Sequence, residues 1–171
     1  MCSSDLRGIS IIAGQGDNLI DLNAITSADF SYADADTGLG LQIQVDAGNG
    51  NDTLFGSQDF EDSLMGGDGD DLINVTPTNT ITAGQVIDGG DGNDTITGGD
   101  GDDSITGGDG FDSITGGAGN DSIQAGDGND SVFGSGGDDE IHGNQGEDAI
   151  NGGQGNDTIF GESGNDSLVG D

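Results

Sequence analysis

From residue 89 onward the large apolar residues of this chain recur mostly one at a time, nine residues apart: Ile96, Ile105, Ile114, Ile123, Val132, Ile141, Ile150, Ile159 and Leu168. A period of nine matches neither the 3.6 residues of a helix nor the two of a long half-buried strand, so it marks a repeating unit of one short strand and one turn. The frame is continuous from Gly89 to Val169, and its first four units read GGDGNDTIT, GGDGDDSIT, GGDGFDSIT and GGAGNDSIQ. Three positions never vary through nine units. Position four is Gly, position six is Asp (Asp94, Asp103, Asp112, Asp121, Asp130, Asp139, Asp148, Asp157 and Asp166) and position eight is aliphatic.

Glycine at positions one, two and four supplies backbone angles that residues with a Cβ reach only with strain, so half of each unit is expected to be a tight turn. The triplet around position eight, such as Thr95-Ile96-Thr97, reads as a three-residue strand with one side chain in and two out. So short a strand must pair with equivalent strands above and below it, in parallel, within an all-β solenoid. If two units make one coil of eighteen residues, opposing aliphatic side chains meet in a thin core. The aspartates then divide into two columns, one of Asp94, Asp112, Asp130, Asp148 and Asp166 and the other of Asp103, Asp121, Asp139 and Asp157.

Upstream the frame is looser. Residues 1–7, with Cys2-Ser3-Ser4-Asp5-Leu6, read as a non-native start of the kind a sequencing adapter would encode. Residues 8–46 are expected to form an irregular β cap or the end of a preceding β domain. Within them Ala13 to Asp21 fits the frame with Asn18 at position six, and Leu39, Leu41, Ile43 and Val45 alternate as a half-buried strand does. Residues 47–88 form degenerate repeats. Asp52 and Asp71 hold position six, Asp62 does so in a unit one residue too long, and Gln85 replaces the aspartate in the last. Residues 75–79, with the only proline at Pro77, read as an expelled loop. The regular roll spans 89–171, where Gly170-Asp171 opens a further unit and suggests a fragment of a longer protein.

Composition shows what these columns need. With 37 Gly and 29% hydrophobic residues the chain cannot bury an ordinary core, and 34 acidic residues against a lone Arg7 give a net charge of −33. Nucleic acid and membrane insertion are disfavoured, the first by like charge and the second because no apolar run is long enough to span a bilayer. Cys2 is the only cysteine and cannot form an internal disulfide. Carboxylates stacked roughly 5 Å apart repel by about 3 kcal/mol per pair at an effective dielectric near 20. A cation is therefore required. Carboxylate and carbonyl oxygens, with no thiolate or imidazole at the repeating positions, point to Ca²⁺ over Mg²⁺ or a transition metal.

The tandem pattern GGxGxDxUx, uninterrupted from Gly89 to Val169 and present with one slip from Ala47 to Asn74, resembles the RTX (hemolysin-type) calcium-binding repeat. The resemblance implies a right-handed parallel β-roll with calcium in the glycine-rich turns, in a bacterial protein exported by type I secretion. It implies ligation by the position-six aspartates named above together with Asp52, Asp62 and Asp71. Carbonyls at positions two and four would join them: Gly90, Gly92, Gly99, Gly101, Gly108, Gly110, Gly117, Gly119, Gly126 and Gly128. Each ion would lie between a turn and the turn two units later, giving about seven ions in the regular block.

No catalytic constellation competes with this reading. His142 stands alone at an outward position, no repeated base accompanies the position-seven Ser and Thr residues, and carboxylates recurring every nine residues suit ligation better than glycosidase chemistry. A threonine face over Thr97, Thr106 and Thr115 ends in Gln124, Phe133 and His142. The expected function is a secreted or cell-surface calcium-binding module that folds on binding Ca²⁺ after export and stabilises a larger protein whose other domains are its partners. A spacer or adhesive module of a cell-surface adhesin, and the C-terminal part of a secreted protease or lipase, are the alternatives.

Overall fold

The computed structural model describes residues 8–23, 42–57, 61–75 and 84–170, and among these there is no helix. One sheet holds β1 (Gly8–Gln15), β3 (Gln42–Asn49), β5 (Asp62–Asp68), β7 (Val86–Asp91), β9 (Ser104–Asp109), β11 (Ser122–Asp127), β13 (Glu140–Gln145) and β15 (Thr158–Phe160), in that order. The other holds β2 (Leu19–Asp21), β4 (Thr53–Phe55), β6 (Leu72–Asn74), β8 (Thr95–Asp100), β10 (Ser113–Ala118), β12 (Ser131–Gly136), β14 (Ala149–Gln154) and β16 (Ser167–Val169). Every pairing is parallel and joins strands that are two apart in sequence, so the chain winds as a β-solenoid with one strand of each coil in each sheet.

The register places position eight over position eight, as in Ile87↔Ile105, Ile105↔Ile123 and Ile123↔Ile141. These aliphatic residues form one continuous core with Leu54, Leu64, Ile73, Ile96, Ile114 and Val132. Burial is incomplete in the first and last of the described coils. Ile9, Ile11, Ile20 and Ile159 are partly covered, and Leu168 on β16 is 46% exposed.

Two expectations are corrected. Through the regular block up to β14 the strands run six residues, not three, because positions one to three continue the strand and positions two and three pair across coils: Gly108 pairs with Gly126 and Asp109 with Asp127. The turn shrinks to positions four to six. Secondly, glycine at position one is not needed for its backbone angles, since the left-handed region is used at positions two and four, as at Gly90 (φ 108°) and Gly92 (φ 137°). Position one is glycine for space, as the site geometry shows below.

Residues 8–23 and 42–46 belong to the same two sheets, with Ile9 paired to Ile43, Ile11 to Val45 and Ile20 to Leu54, and they make the first end of the roll. The insertions leave the stacking intact. Equivalent residues lie 34 apart from Asn18 to Asp52, 19 from Asp52 to Asp71, 23 from Asp71 to Asp94 and 18 thereafter. Residues 1–7, Leu39 and Leu41 of the alternating stretch, and Pro77 lie outside the described residues.

Ser135, Asn144 and Glu162 hold position two with φ of 88°, 70° and 67°, closer to the ordinary left-handed well than the neighbouring glycines Gly117 (127°) and Gly126 (121°). The wide glycine angle carries the backbone close to the coil before it, so that a Cβ at Gly117 would collide with the Gly99 carbonyl. A side chain at this row therefore forces the coil toward a compromise, at a cost of about 1–2 kcal/mol for an L residue held left-handed. Ser135→Gly is expected to raise folding stability in calcium by up to about 1 kcal/mol, part of the relief being offset by the freer unfolded chain. Gly117→Ser in the adjacent coil should lower it, and urea denaturation of the two variants measures both.

Candidate metal centre

In the regular repeats each position-six aspartate lies two residues after the position-four glycine and immediately before a strand. Its side chain is bound in place by the coil before it. The amide of Asp94 donates to Asp112 Oδ1 (2.8 Å), that of Asp112 to Asp130 (2.9 Å), that of Asp130 to Asp148 (2.9 Å) and that of Asp148 to Asp166 (3.1 Å). The same chain of bonds runs upstream from Asp94 to Asp71 and Asp52 and ends at Asn18, whose amide and side-chain NH₂ both donate to Asp52 Oδ1. On the other edge the bonds link Asp103, Asp121, Asp139 and Asp157. The two columns read from the eighteen-residue coil are both present. Their neighbours are joined by hydrogen bonds, which the repulsion argument alone did not foresee.

The second oxygen of each carboxylate has no such partner. Oδ2 of Asp52, Asp71, Asp94, Asp103, Asp112, Asp121, Asp130, Asp139, Asp148 and Asp157 is buried without a hydrogen-bond donor. A buried unpaired carboxylate oxygen is strongly unfavourable. These atoms point at position one. A Cβ added at Gly89 would collide with Asp94 Oδ2, one at Gly98 with Asp103 Oδ2, and one at Gly116 with Asp121 Oδ2, which is why position one is so rarely anything larger than glycine. Ala47 and Ala125 are the exceptions among the repeats with a free oxygen, and both are fully buried.

Backbone oxygens complete the surroundings. The carbonyls of Gly90 and Gly92 point along the stacking axis at Gly108 and Gly110, and those of Gly99 and Gly101 at Gly117 and Gly119. In the turns, the carbonyls at positions three and six accept inter-coil amides, as Asp109 does from Gly92 and Asp94 from Ser113, whereas those of Gly92, Gly101, Gly110, Gly119 and Gly128 accept none. Among the described residues no three His, Cys, Asp or Glu side chains converge. An ion held here must therefore take carbonyl oxygens along with carboxylates. That all-oxygen set, with the orphaned Oδ2 atoms packed beside backbone carbonyls at position one, fits Ca²⁺.

Electrostatics express the same deficit. Burial pushes Asp94 and Asp103 up to about 7 and Asp71, Asp121 and Asp130 up to about 6, with the inter-coil amide bond working against the rise and neighbouring column carboxylates adding to it. Burial raises Asp112, Asp139 and Asp148 as well.

Asp62 and Gln85 depart from the pattern. Asp62 Oδ2 accepts from the Ser57 amide (2.5 Å) and Oδ1 from the Ser57 hydroxyl (3.0 Å), so neither oxygen is orphaned. Gln85 continues the column, its Oε1 accepting from the Asp62 amide (2.8 Å) and its amide donating to Asp103 Oδ1 (2.7 Å).

A second ladder, at position five, was not foreseen from the residues. Asn51 Oδ1 accepts from the Asp70 amide, Asp70 from Asn93 and Asn93 from Phe111, and across the roll Asp102, Asn120 and Asp138 are linked in the same way to Asn120, Asp138 and Asn156. Its signal was the near-constant Asn or Asp at that position. Phe111 interrupts it, being 65% exposed and offering the Asn129 amide no acceptor. His142 lies on the outer face, stacked on Phe160 (centroids 4.7 Å apart) with Glu162 Oε1 at 2.7 Å and Glu140 Oε1 at 3.3 Å, and its pKa is raised chiefly by Glu162.

The family model of the RTX calcium-binding nonapeptide repeat, which describes four copies of the repeat, matches five stretches, residues 57–75, 82–114, 106–141, 115–150 and 142–171, together well over half of the chain. The chain belongs to that family, and its parallel roll is a structural calcium-binding module, not a catalytic one. No curated protein and no solved structure matches it.

Without a cation the column aspartates bind protons more tightly folded than unfolded. Their raised pKa values favour the calcium-free roll fully below about 4, and that contribution disappears as pH rises through 6 to 7. Exposed Asp70 and Asp138, lowered by the amides of Asn93 and Asn156, oppose this weakly. Calcium-free protein should thus show more β signal by circular dichroism at pH 5, above its isoelectric point of about 4.1, than at pH 7.5, where only added calcium restores it.

Proposed function

We propose that the position-six aspartates hold calcium between successive coils of each column, and that the module folds only when calcium is supplied outside the cell. The observation that carries the reading is the file of buried carboxylate oxygens without donors, packed with backbone carbonyls against the position-one glycines. Asp94 with Asp112, Asp103 with Asp121 and Asp112 with Asp130 frame the most regular sites, with carbonyls of Gly90, Gly92, Gly99, Gly101, Gly108 and Gly110 as further ligands. Nine contiguous units accommodate about seven ions, four in one column and three in the other. Because the sites exist only in the folded chain, binding free energy is folding free energy.

An unfolded chain at low intracellular calcium suits passage through a narrow type I secretion channel, and folding outside would stabilise or draw out the protein to which the roll is attached. Family membership and the density of carboxylates support this role and an extracellular location. No helix among the described residues is long and apolar enough to cross a membrane. The roll would serve equally as a rigid spacer in an adhesin or as the C-terminal part of a secreted protease or lipase.

Calorimetric titration should give close to seven ions for the regular block, and a total of one or two would end the column model. Chelation at pH 7.5 should abolish the β signal. Asp112→Asn, which removes a charge shared by two sites, should lower calcium-coupled stability by several kcal/mol, and Asp166→Asn at the open end by markedly less.

A further inference from the structure

The level of the roll that runs from Ser57 through Asp62 to Gln85 is closed differently from the others. The geometry points to Ser57 as a built-in replacement for calcium at Asp62, so that this rung is complete without metal. The inference rests on the calcium reading of the other rungs. Ser57 stands five residues before Asp62, the spacing that separates Gly89 from Asp94 and Gly98 from Asp103. It therefore occupies position one, where a Cβ is aimed at the carboxylate of the same unit. In the regular repeats that direction carries no donor, the residue being Gly or, at Ala125, Ala. Here it carries a hydroxyl, which donates to Asp62 Oδ1 at 3.0 Å while the Ser57 amide donates to Oδ2 at 2.5 Å. Ser57, Asp62 and Gln85 are 2%, 2% and 4% exposed, so these bonds are formed away from water.

The next member of the column completes the case. A calcium ion between two rungs draws on two carboxylates, but the residue after Asp62 is the neutral Gln85. Its Oε1 accepts the Asp62 amide as an aspartate Oδ1 does elsewhere, so the inter-coil bond survives while one negative charge is deleted. The rung thus has neither the second charge nor the free oxygen that a cation needs. On the opposite edge Asp52 and Asp71 keep theirs. One column therefore begins with a rung whose order does not depend on calcium, against which the calcium-dependent rungs from Asp103 onward stack.

Equilibrium dialysis of the whole chain against radioactive calcium tests this by counting ions. Asp62→Asn should leave the number bound by the wild type unchanged, whereas Asp112→Asn lowers it by one or two. Ser57→Gly combined with Gln85→Asp frees the Asp62 carboxylate and adds its missing partner, and should bind one more ion than the wild type. Loss of an ion in Asp62→Asn would overturn the inference, as would an unchanged count in a double variant that folds in saturating calcium. If the double variant fails to fold, the Asp62→Asn count decides. A wild type that binds no calcium would instead overturn the calcium reading itself.

Discussion

Everything in this roll depends on what happens to the aspartate at position six of each repeat. One carboxylate oxygen accepts the amide of the coil before it at 2.6–3.1 Å and ties the two coils together. The other is carried into the interior with no donor. The amide bond favours the ionised form and burial disfavours it, and burial prevails, lifting Asp94 and Asp103 to about 7. The residue that connects the coils is thus also the residue that loads them with unpaired charge. A proton, a serine hydroxyl and a calcium ion are three ways of relieving that load. Only the ion supplies enough positive charge to satisfy a whole column at neutral pH.

The glycines follow from this constraint. Position one is kept free of a Cβ because the orphaned oxygen is aimed there, and position two bends the chain so that its carbonyl faces the next coil. The outer surfaces are less constrained. Phe111, Phe133 and Phe160 are exposed, and insertions before Asp71 and Asp94 are absorbed between coils without loss of register. Tolerance outside and intolerance in the turns is what a one-dimensional stack of small units produces, since each coil has to fit only its two neighbours. Leu168, on the last strand described, is half exposed.

The parallel solenoid, its eighteen-residue coil, its two aspartate columns and its aliphatic core were legible in the sequence because each follows from a strict period. A residue repeated every nine positions must face the same way in every turn. Aspartate at every position six and the absence of soft donors defined the chemistry of the site for the same reason. Strand length was not legible. The Gly-Gly-x segment at positions one to three looks like turn composition, yet it continues the strand and its second and third residues pair across coils, and no local rule shows that such a segment will be held in a ladder.

Tertiary structure decided whatever depends on the partner across the coil. The sequence named the aspartates, but only stacking showed that one oxygen of each is bonded and the other is not. It named Gln85 as a gap in the column, and stacking showed a hydrogen-bonded member that has lost its charge. Ser57 read as part of an overlong unit and became a donor to Asp62 once the turn closed. A periodic sequence determines which residues align. Which atoms of those residues are satisfied is determined by distances between coils that are 18 to 34 residues apart along the chain.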